Sequence, residues 1–198
     1  MPIEVTYNNN TVICYDNFNK IANNVNVIEI NCNNNNLTSL PDNMIFPNLT
    51  HFYCYNNKLK SLPPNMNYSN LTYLDCGFNN LTSLPANMNY PNLTRFYCDN
   101  NNLKSLPANM NYPNLTHFYC HSNKLTSLPP NMNFPNLTHF YCHNNKLKSL
   151  PDNIILPGLT YFHCYNNKLY YIPPHLNCII RKDKNTKSPE YMRRKIWI

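Results

Sequence analysis

The sequence predicts an α/β-type repeat solenoid, in which short parallel strands stack along one side and 3₁₀ or irregular crossovers form the other side. Three observations lead to this fold class. Cysteines recur at intervals of 22 residues from Cys32 to Cys164. The residues around each cysteine repeat one apolar pattern through most of the 198-residue chain. Glycine, with 2 residues, is too rare for collagen or a flexible linker, and a hydrophobic content of 42% argues against a disordered chain.

The repeating unit is a block of 22 residues with the pattern LxxFxCxxNxLxxLPxNMxxPN, whose positions we number from 1 to 22. Positions 3 to 7 alternate as in a strand, so the residues at positions 4 and 6, such as Phe52 and Cys54, are expected to point inward. The roughly 17 remaining residues suffice for the crossover between parallel strands. Prolines within the crossovers disfavour a long helix there.

Apolar residues at block positions 1, 4, 6, 11, 14 and 18 can be buried only when blocks stack on one another. We therefore expect residues 1–26 to form an N-terminal cap and residues 181–198 to form a basic C-terminal cap or tail. The seven repeats between them are 27–48, 49–70, 71–92, 93–114, 115–136, 137–158 and 159–180.

Asparagine is frequent, with 42 residues, and it occupies position 9 of every block. A buried amide carries one acceptor and two donor hydrogens, which can satisfy backbone groups where a strand turns into its crossover. We interpret this column as structural rather than as a binding site. Its members are Asn35, Asn57, Asn79, Asn101, Asn123, Asn145 and Asn167.

The motif LxxFxCxxNxL followed by LxxLP resembles the leucine-rich repeat, with Phe in place of the second leucine and Cys in place of the third. The resemblance covers about 154 of the 198 residues. It implies a leucine-rich repeat horseshoe with a parallel concave β-sheet and a short 3₁₀ or irregular convex side. The abundance of Asn, Tyr and Lys is similar to that of leucine-rich repeat proteins of giant AT-rich DNA viruses, and proteins of amoebae with AT-rich genomes share it.

The two ends of the solenoid need cover for their apolar faces. At the N-terminal end we expect a hairpin and a short helix, or a degenerate block, to bring apolar side chains onto the first block. At the other end Cys178, Ile179 and Ile180 are expected to close the last block, and the tail beyond them is either an ordered cap or a free segment. The apolar side chains of the N-terminal cap are Val12, Ile13, Phe18, Ile21 and Val25.

Block positions 3, 5 and 7 should face outward on the concave side, and most of them hold Tyr or His. Tyrosine is enriched in protein interfaces because it offers a large contact area and a hydrogen bond at a low cost in conformational entropy. We predict a non-catalytic protein–protein interaction module, and we interpret it further as a viral protein that acts on host proteins. The alternative is a duplicated paralogue without a selected ligand. The predicted partner-binding residues are His51, Tyr53, Tyr73, Tyr97, His117, Tyr119, His121, His139, Tyr141 and His143.

A second alternative is binding to nucleic acid or to an anionic surface. Residues 181–198 hold seven basic and two acidic residues, so most of the formal net charge of +7 lies in the tail. The remaining lysines recur at block positions 10 and 12, along one edge of the solenoid. These edge lysines are Lys58, Lys60, Lys104, Lys124, Lys146, Lys148 and Lys168.

We expect no catalytic residues, cofactor or bound metal. Asp75, Asp99 and His121 share the concave face, but the sequence lacks the P-loop, HExxH and GxSxG motifs, and an open sheet desolvates a reaction poorly. The neighbouring pairs His117/His139 and His121/His143 supply only two imidazoles each, fewer than a structural metal site usually needs.

The predicted location is the cytoplasm, including that of a host cell. The N-terminus shows no basic region followed by an apolar run, and no apolar stretch approaches the length of a membrane span. Evenly spaced cysteines indicate buried thiols in a reducing compartment rather than a disulfide framework.

Overall fold

The computed structural model describes residues 1–21, 25–66, 68–130, 132, 134–151, 154–173, 176 and 179–181. Within these residues ten strands form one sheet in the order β10-β9-β8-β7-β6-β5-β4-β3-β1-β2. A 3₁₀ helix at Phe18–Lys20 is the only helix assigned in the described part of the chain. The strands are β1 Ile3–Tyr7, β2 Val12–Tyr15, β3 Val27–Asn31, β4 His51–Tyr53, β5 Tyr73–Asp75, β6 Arg95–Tyr97, β7 His117–Tyr119, β8 His139–Tyr141, β9 Tyr161–His163 and β10 Ile179–Arg181.

Strands β3 to β10 are parallel, and each pairs with its neighbour in the same block register. Phe96 of β6 lies opposite Phe118 of β7, and Phe118 lies opposite Phe140 of β8. Residues at one block position therefore form a column along the solenoid. The predicted repeat solenoid is confirmed, and its crossovers consist of turns and irregular chain.

The core contains the six apolar block positions that the sequence predicts, together with one that it does not. Position 20 is also buried, and its tyrosines are accommodated because their hydroxyls reach main-chain acceptors. The Tyr90 hydroxyl donates to the Met66 carbonyl at 2.9 Å, and the Tyr112 hydroxyl donates to the Met88 carbonyl at 3.4 Å. The buried side chains at this position are Phe46, Tyr68, Tyr90, Tyr112, Phe134 and Leu156.

Position 9 confirms the structural interpretation of the asparagine column. The Asn101 amide nitrogen donates to the carbonyls of Cys76, Cys98 and Asp99 at 3.0, 3.3 and 3.1 Å. Its side-chain oxygen accepts the main-chain N–H of Leu81 at 2.9 Å. One amide thus satisfies four main-chain groups from two adjacent blocks, and the same arrangement recurs at Asn79, Asn123 and Asn145.

Position 8 is a left-handed residue in every block, with φ between 51° and 57°. Asparagine tolerates this region better than most other residues with a side chain, which explains its frequency three residues after the strands. Phe78 is the exception, because it holds a bulky side chain at φ 51°. Its ring is 45% exposed and lies 5.0 Å from the ring of Tyr55. The residues at position 8 are Asn34, Asn56, Phe78, Asn100, Ser122, Asn144 and Asn166.

The N-terminal segment forms the hairpin and short helix that the sequence predicts, but with different contacts. Strand β1 lies between β2 and β3 and is antiparallel to both. Its Ile3 and Val5 side chains are buried against the first block.

Phe18 and Ile21 are buried as expected. The expected contribution of Val12, Ile13 and Val25 is wrong, since these side chains are 58%, 42% and 59% exposed. For Val12 and Ile13 the cause is the strand order, because β1 covers the first block and leaves β2 at the edge of the sheet, whereas Val25 lies in the turn before β3.

At the other end, β10 adds one more parallel strand beside β9 and includes Arg181. Cys178 and residues 182–198 lie outside the described residues, so the choice between an ordered cap and a free tail stays open. The division of the chain at residues 26 and 180 stays a prediction.

Candidate functional site

The open face of the sheet is built by strand alternation. In each of the strands β4 to β9 the middle side chain is buried, and its two neighbours emerge on the opposite side. The residue two places after each of these strands lies on that side as well. All ten predicted partner-binding residues lie on this open face, where ring contacts connect them into one continuous surface.

The longest column of rings runs along position 5. The ring centroids of Tyr97 and Tyr119 are 4.7 Å apart, those of Tyr119 and Tyr141 are 4.4 Å apart, and those of Tyr141 and His163 are 4.2 Å apart. The rings of the last two pairs are nearly parallel, with interplanar angles of 7° and 5°. This spacing follows from the distance of about 4.8 Å between neighbouring strands, so the backbone itself sets the stack.

The flanking columns at positions 3 and 7 are shorter. At position 3, His117 and His139 stack at 4.4 Å, and the exposed Arg95 interrupts the column on one side. At position 7, His143 lies between His121 at 4.3 Å and Tyr165 at 4.4 Å. At the other end of the face Tyr73 leans towards position 5, with its ring 4.9 Å from Tyr53 and 5.4 Å from Tyr97.

Three aromatic residues extend the predicted site towards its C-terminal end. Tyr161 stacks on His139 at 4.7 Å, and His163 and Tyr165 continue the columns at positions 5 and 7. Their block positions already indicate that they face outward, so the signal for including them was present in the sequence.

The stacked imidazole pairs are poorly arranged for a metal ion. The His117 and His139 rings are 7° from parallel, and the His121 and His143 rings are 13° from parallel. Ring nitrogens direct their lone pairs within the ring plane, so stacked rings direct them side by side rather than towards one point. Among the described residues no three metal-ligating side chains come together. The expected absence of a bound metal or cofactor stays a prediction.

Two carboxylates interrupt the ring columns near the middle of the face, on either side of Gly77. A Cβ atom at residue 77 would lie 3.2 Å from an Asp99 oxygen and 3.3 Å from an Asp75 oxygen, so glycine lets both carboxylates approach the main chain. The pKa of Asp75 is raised to about 6, and burial is the largest cause. The hydrogen bond that the Gly77 N–H donates to the carboxylate opposes this rise, and the charge of Asp99 adds to it. This patch adds a polar centre to an aromatic face.

The structure adds Ser122 to the hypothetical catalytic group of Asp75, Asp99 and His121. Asp99 Oδ2 lies 3.6 Å from His121 Nε2, and the other ring nitrogen, Nδ1, lies 3.2 Å from the Ser122 hydroxyl. The order carboxylate, imidazole and hydroxyl resembles a hydrolytic triad. However, 3.6 Å is too long for the orienting hydrogen bond. Burial also lowers the pKa of His121, against the opposing effect of Asp99, which weakens it as a base.

The surroundings of His143 strongly perturb its imidazole. Its Nδ1 atom is buried and has no hydrogen-bond partner within the described part of the chain. Burial, and then the charges of His121 and His163, lower the pKa of His143 to about 4. His143 is therefore neutral at physiological pH, and its ring can stack on His121 without charge repulsion.

We expect acid to destabilise the fold through His143. An unfolded imidazole takes up a proton near its ordinary pKa of about 6.5, whereas folded His143 stays neutral until about pH 4, so stability falls as the pH falls between these values. Asp75 acts in the opposite sense, because its pKa is raised to about 6 in the folded state. The measurement is therefore urea unfolding of wild type and His143→Phe at pH 7 and pH 5. The variant should lose less stability on acidification, and an equal loss would contradict the assignment.

Comparisons with known proteins agree with this geometry. A family model for leucine rich repeats (2 copies) matches residues 47–87 and 113–155. The chain also superposes on YopM from Yersinia enterocolitica with a TM-score of 0.67 and 31% identity, over 78% of this chain and 33% of YopM. The chain is a leucine-rich repeat protein.

Two further leucine-rich repeat structures show the same fold. YopM from Yersinia pestis, described as a leucine-rich effector protein, matches with a TM-score of 0.60 and 30% identity, over 81% of this chain and 50% of that protein. A Shigella effector leucine-rich repeat domain matches with a TM-score of 0.65 and 26% identity, over 85% of this chain and 74% of the domain. The chain thus spans a third to a half of the two YopM chains. No curated protein matches its sequence.

The leucine-rich repeat fold is typical of protein–protein interaction modules and is generally a non-catalytic scaffold. The predicted horseshoe with its parallel sheet is confirmed. In the part of the chain that the structure describes, no helix has the length and apolar character to cross a membrane.

The cysteine column belongs to the core of the leucine-rich repeats. Seven thiols, from Cys32 to Cys164, are at most 1% exposed. Burial raises the pKa of Cys32 to about 12 and keeps the pKa values of Cys54, Cys76, Cys98, Cys120 and Cys142 well above the ordinary range. These thiols are neutral, which suits small buried side chains and not metal ligands.

The Asn and Thr residues of the Asn-Leu-Thr sequence that joins successive leucine-rich repeats line an open groove of about 790 Å³ along one edge of the sheet. Its side chains are used internally. The Thr94 hydroxyl donates to the Thr72 carbonyl at 2.9 Å, and the Asn114 amide donates to the Pro91 carbonyl at 3.0 Å. The seven predicted lysines of the edge at positions 10 and 12 are all exposed.

Proposed function

We propose that this chain is a non-catalytic protein-binding module that recognises a partner protein through the aromatic open face. The observation that carries the proposal is the set of stacked columns, with centroid separations of 4.2 to 4.7 Å along position 5 from Tyr97 to His163. Rings held by their neighbours lose little further freedom on binding, so more of the contact energy contributes to affinity.

The burial of the rings supports the same function. Tyr97, Tyr119 and Tyr141 are half-buried. Neighbouring rings cover the faces of Tyr119 and Tyr141, so a partner would contact the outer edges of these rings. An amphipathic surface of this kind suits a protein partner that contributes both apolar side chains and hydrogen-bond acceptors. The carboxylates of Asp75 and Asp99 add charge selectivity at the centre.

We place the partner in a reducing cytoplasm, including that of a host cell. The free cysteines and the likeness to proteins described as effectors support this location. The non-catalytic assignment rests on the long Asp99–His121 separation and on the open face around it.

The test compares recovery of proteins from a eukaryotic cytosolic extract by wild type and by a Tyr119→Ala/Tyr141→Ala variant. The matched control is Lys124→Ala/Lys146→Ala, which changes two exposed side chains in the same two blocks. We expect a partner that the control recovers and the tyrosine variant loses, with affinity reduced roughly tenfold or more when it is measured with the purified partner.

Other outcomes would exclude the aromatic face. If the lysine variant loses the partner and the tyrosine variant keeps it, binding occurs through the lysine edge, and a steep salt dependence would then identify nucleic acid or an anionic surface. If both variants recover every protein that wild type recovers, the chain has no selected partner of this kind.

A further inference from the structure

The outermost strand at the N-terminal end, β2, lacks the usual protection of a sheet edge. It pairs with β1 on one side and with no other strand among the described residues. Natural edge strands are commonly protected by charged residues, proline or a bulge. Residues 11–15 contain none of the charged residues, proline or glycine that would prevent further pairing.

The hydrogen-bond pattern of the hairpin shows which groups of β2 are free to pair. The Tyr7 N–H donates to the Thr11 carbonyl at 2.9 Å, so these two residues form a hydrogen-bonded pair. Hydrogen-bonded and non-hydrogen-bonded pairs alternate along antiparallel strands. In the observed register Val5 and Ile13 therefore form the next hydrogen-bonded pair. Val12 and Cys14, the residues on either side of Ile13, therefore direct their N–H and C=O groups away from β1.

The side chains of β2 are apolar on both faces. Ile13 lies opposite the buried Val5 and continues the core layer outward, yet it is 42% exposed. Val12 is 58% exposed on the other face, and Cys14 is exposed as well. The apolar layer of the solenoid thus extends beyond β1 to the edge strand β2, where no other described strand covers it.

We propose that β2 pairs with β2 of a second copy of this chain, antiparallel and about a two-fold axis at Ile13. In this register Val12 lies opposite Cys14 of the second copy, and the outward N–H and C=O groups of both residues form four hydrogen bonds. The two Ile13 side chains meet across the axis on the core side. One sheet then runs through both copies.

The charges around β2 fit a second copy. Asp16 already pairs with Lys20 of its own chain at 2.6 Å. In the proposed register Asp16 lies opposite Asn10 of the second copy, and the two Asp16 residues are separated by about 20 Å along the strands. No like charges oppose each other. The contact is small beside the ~800 Å² per partner of a standard interface, so the dimer should be weak and concentration-dependent.

The first experiment measures the oligomeric state of the full chain by sedimentation over a wide concentration series. Wild type should dimerise at high concentration. Ile13→Lys should remain monomeric because it places two charges at the axis, and so should Val12→Pro, which removes an outward N–H without losing a bond to β1. Ile155→Lys is the matched control, since Ile155 is 59% exposed far from β2, and it should dimerise like wild type.

The second experiment tests the register by mild oxidation. In a Cys14→Ser/Cys178→Ser background, Ile13→Cys should form an intermolecular disulfide, because directly opposed residues without mutual hydrogen bonds have Cα atoms about 4.5 Å apart. The native Cys14 residues of two copies lie diagonally, about 7–8 Å apart, and should not bridge.

A wild type that stays monomeric, a dimer that Ile13→Lys leaves intact, or faster cross-linking through Cys14 would each overturn the proposal. Circular dichroism of every variant separates loss of dimer from loss of fold. The outcome is also independent of the aromatic face, because β2 lies at the end of the sheet and none of its residues belongs to the ring columns.

Discussion

Asn101→Ala should destabilise the protein by roughly 3–5 kcal/mol, because one substitution leaves four buried main-chain groups without their side-chain partner. The amide is 8% exposed, so water replaces these bonds poorly. The measurement is equilibrium urea unfolding followed by circular dichroism.

The matched control for this experiment is Asn111→Ala, since Asn111 is exposed in the following crossover. It should change stability by less than about 0.5 kcal/mol. If both substitutions have the same small effect, the asparagine column does not stabilise the turns as described. If both have the same large effect, asparagine contributes through the crossovers rather than through its column.

Phe118→Ala should cost about 3–5 kcal/mol, as expected for a large side chain removed from a packed core. Phe118 is fully buried and stacks between Phe96 and Phe140 at 5.5 Å on each side, with Phe134 edge-on at 6.0 Å. The cavity would lie in the middle of the solenoid, where neither end can collapse into it. Urea unfolding measures the loss.

The comparison for Phe118 is Phe78→Ala, the same substitution at a ring that is 45% exposed. We expect a cost of less than about 1 kcal/mol there. Equal costs at the two positions would show that burial at position 4 of the block is not what holds neighbouring blocks together.

The sequence predicts the core columns well because a repeated pattern reports the same environment seven times. Phe118, Cys120 and Asn123 occupy positions whose residue type hardly varies, and each is buried as expected. The open face follows from the same alternation, which places Tyr119 and Tyr141 beside each other.

Other features depend on information that the pattern does not contain. Tyr90 and Tyr112 resemble surface residues by composition, and only the three-dimensional structure shows the carbonyls that accept their hydroxyl hydrogens. The exposure of Val12 and Ile13 follows from strand order within a single, non-repeated segment. The contact between the Ser122 hydroxyl and His121 Nδ1 depends on how these two side chains are oriented, which the repeat does not reveal.

The buried thiol column has a consequence for following how this solenoid opens. Each of the seven cysteines from Cys32 to Cys164 belongs to a different block, and each is hidden from solvent. An alkylating reagent can reach a given sulfur only while that block is transiently open. The labelling rate of each cysteine, read by mass spectrometry, therefore reports the opening frequency of its own segment without any introduced probe.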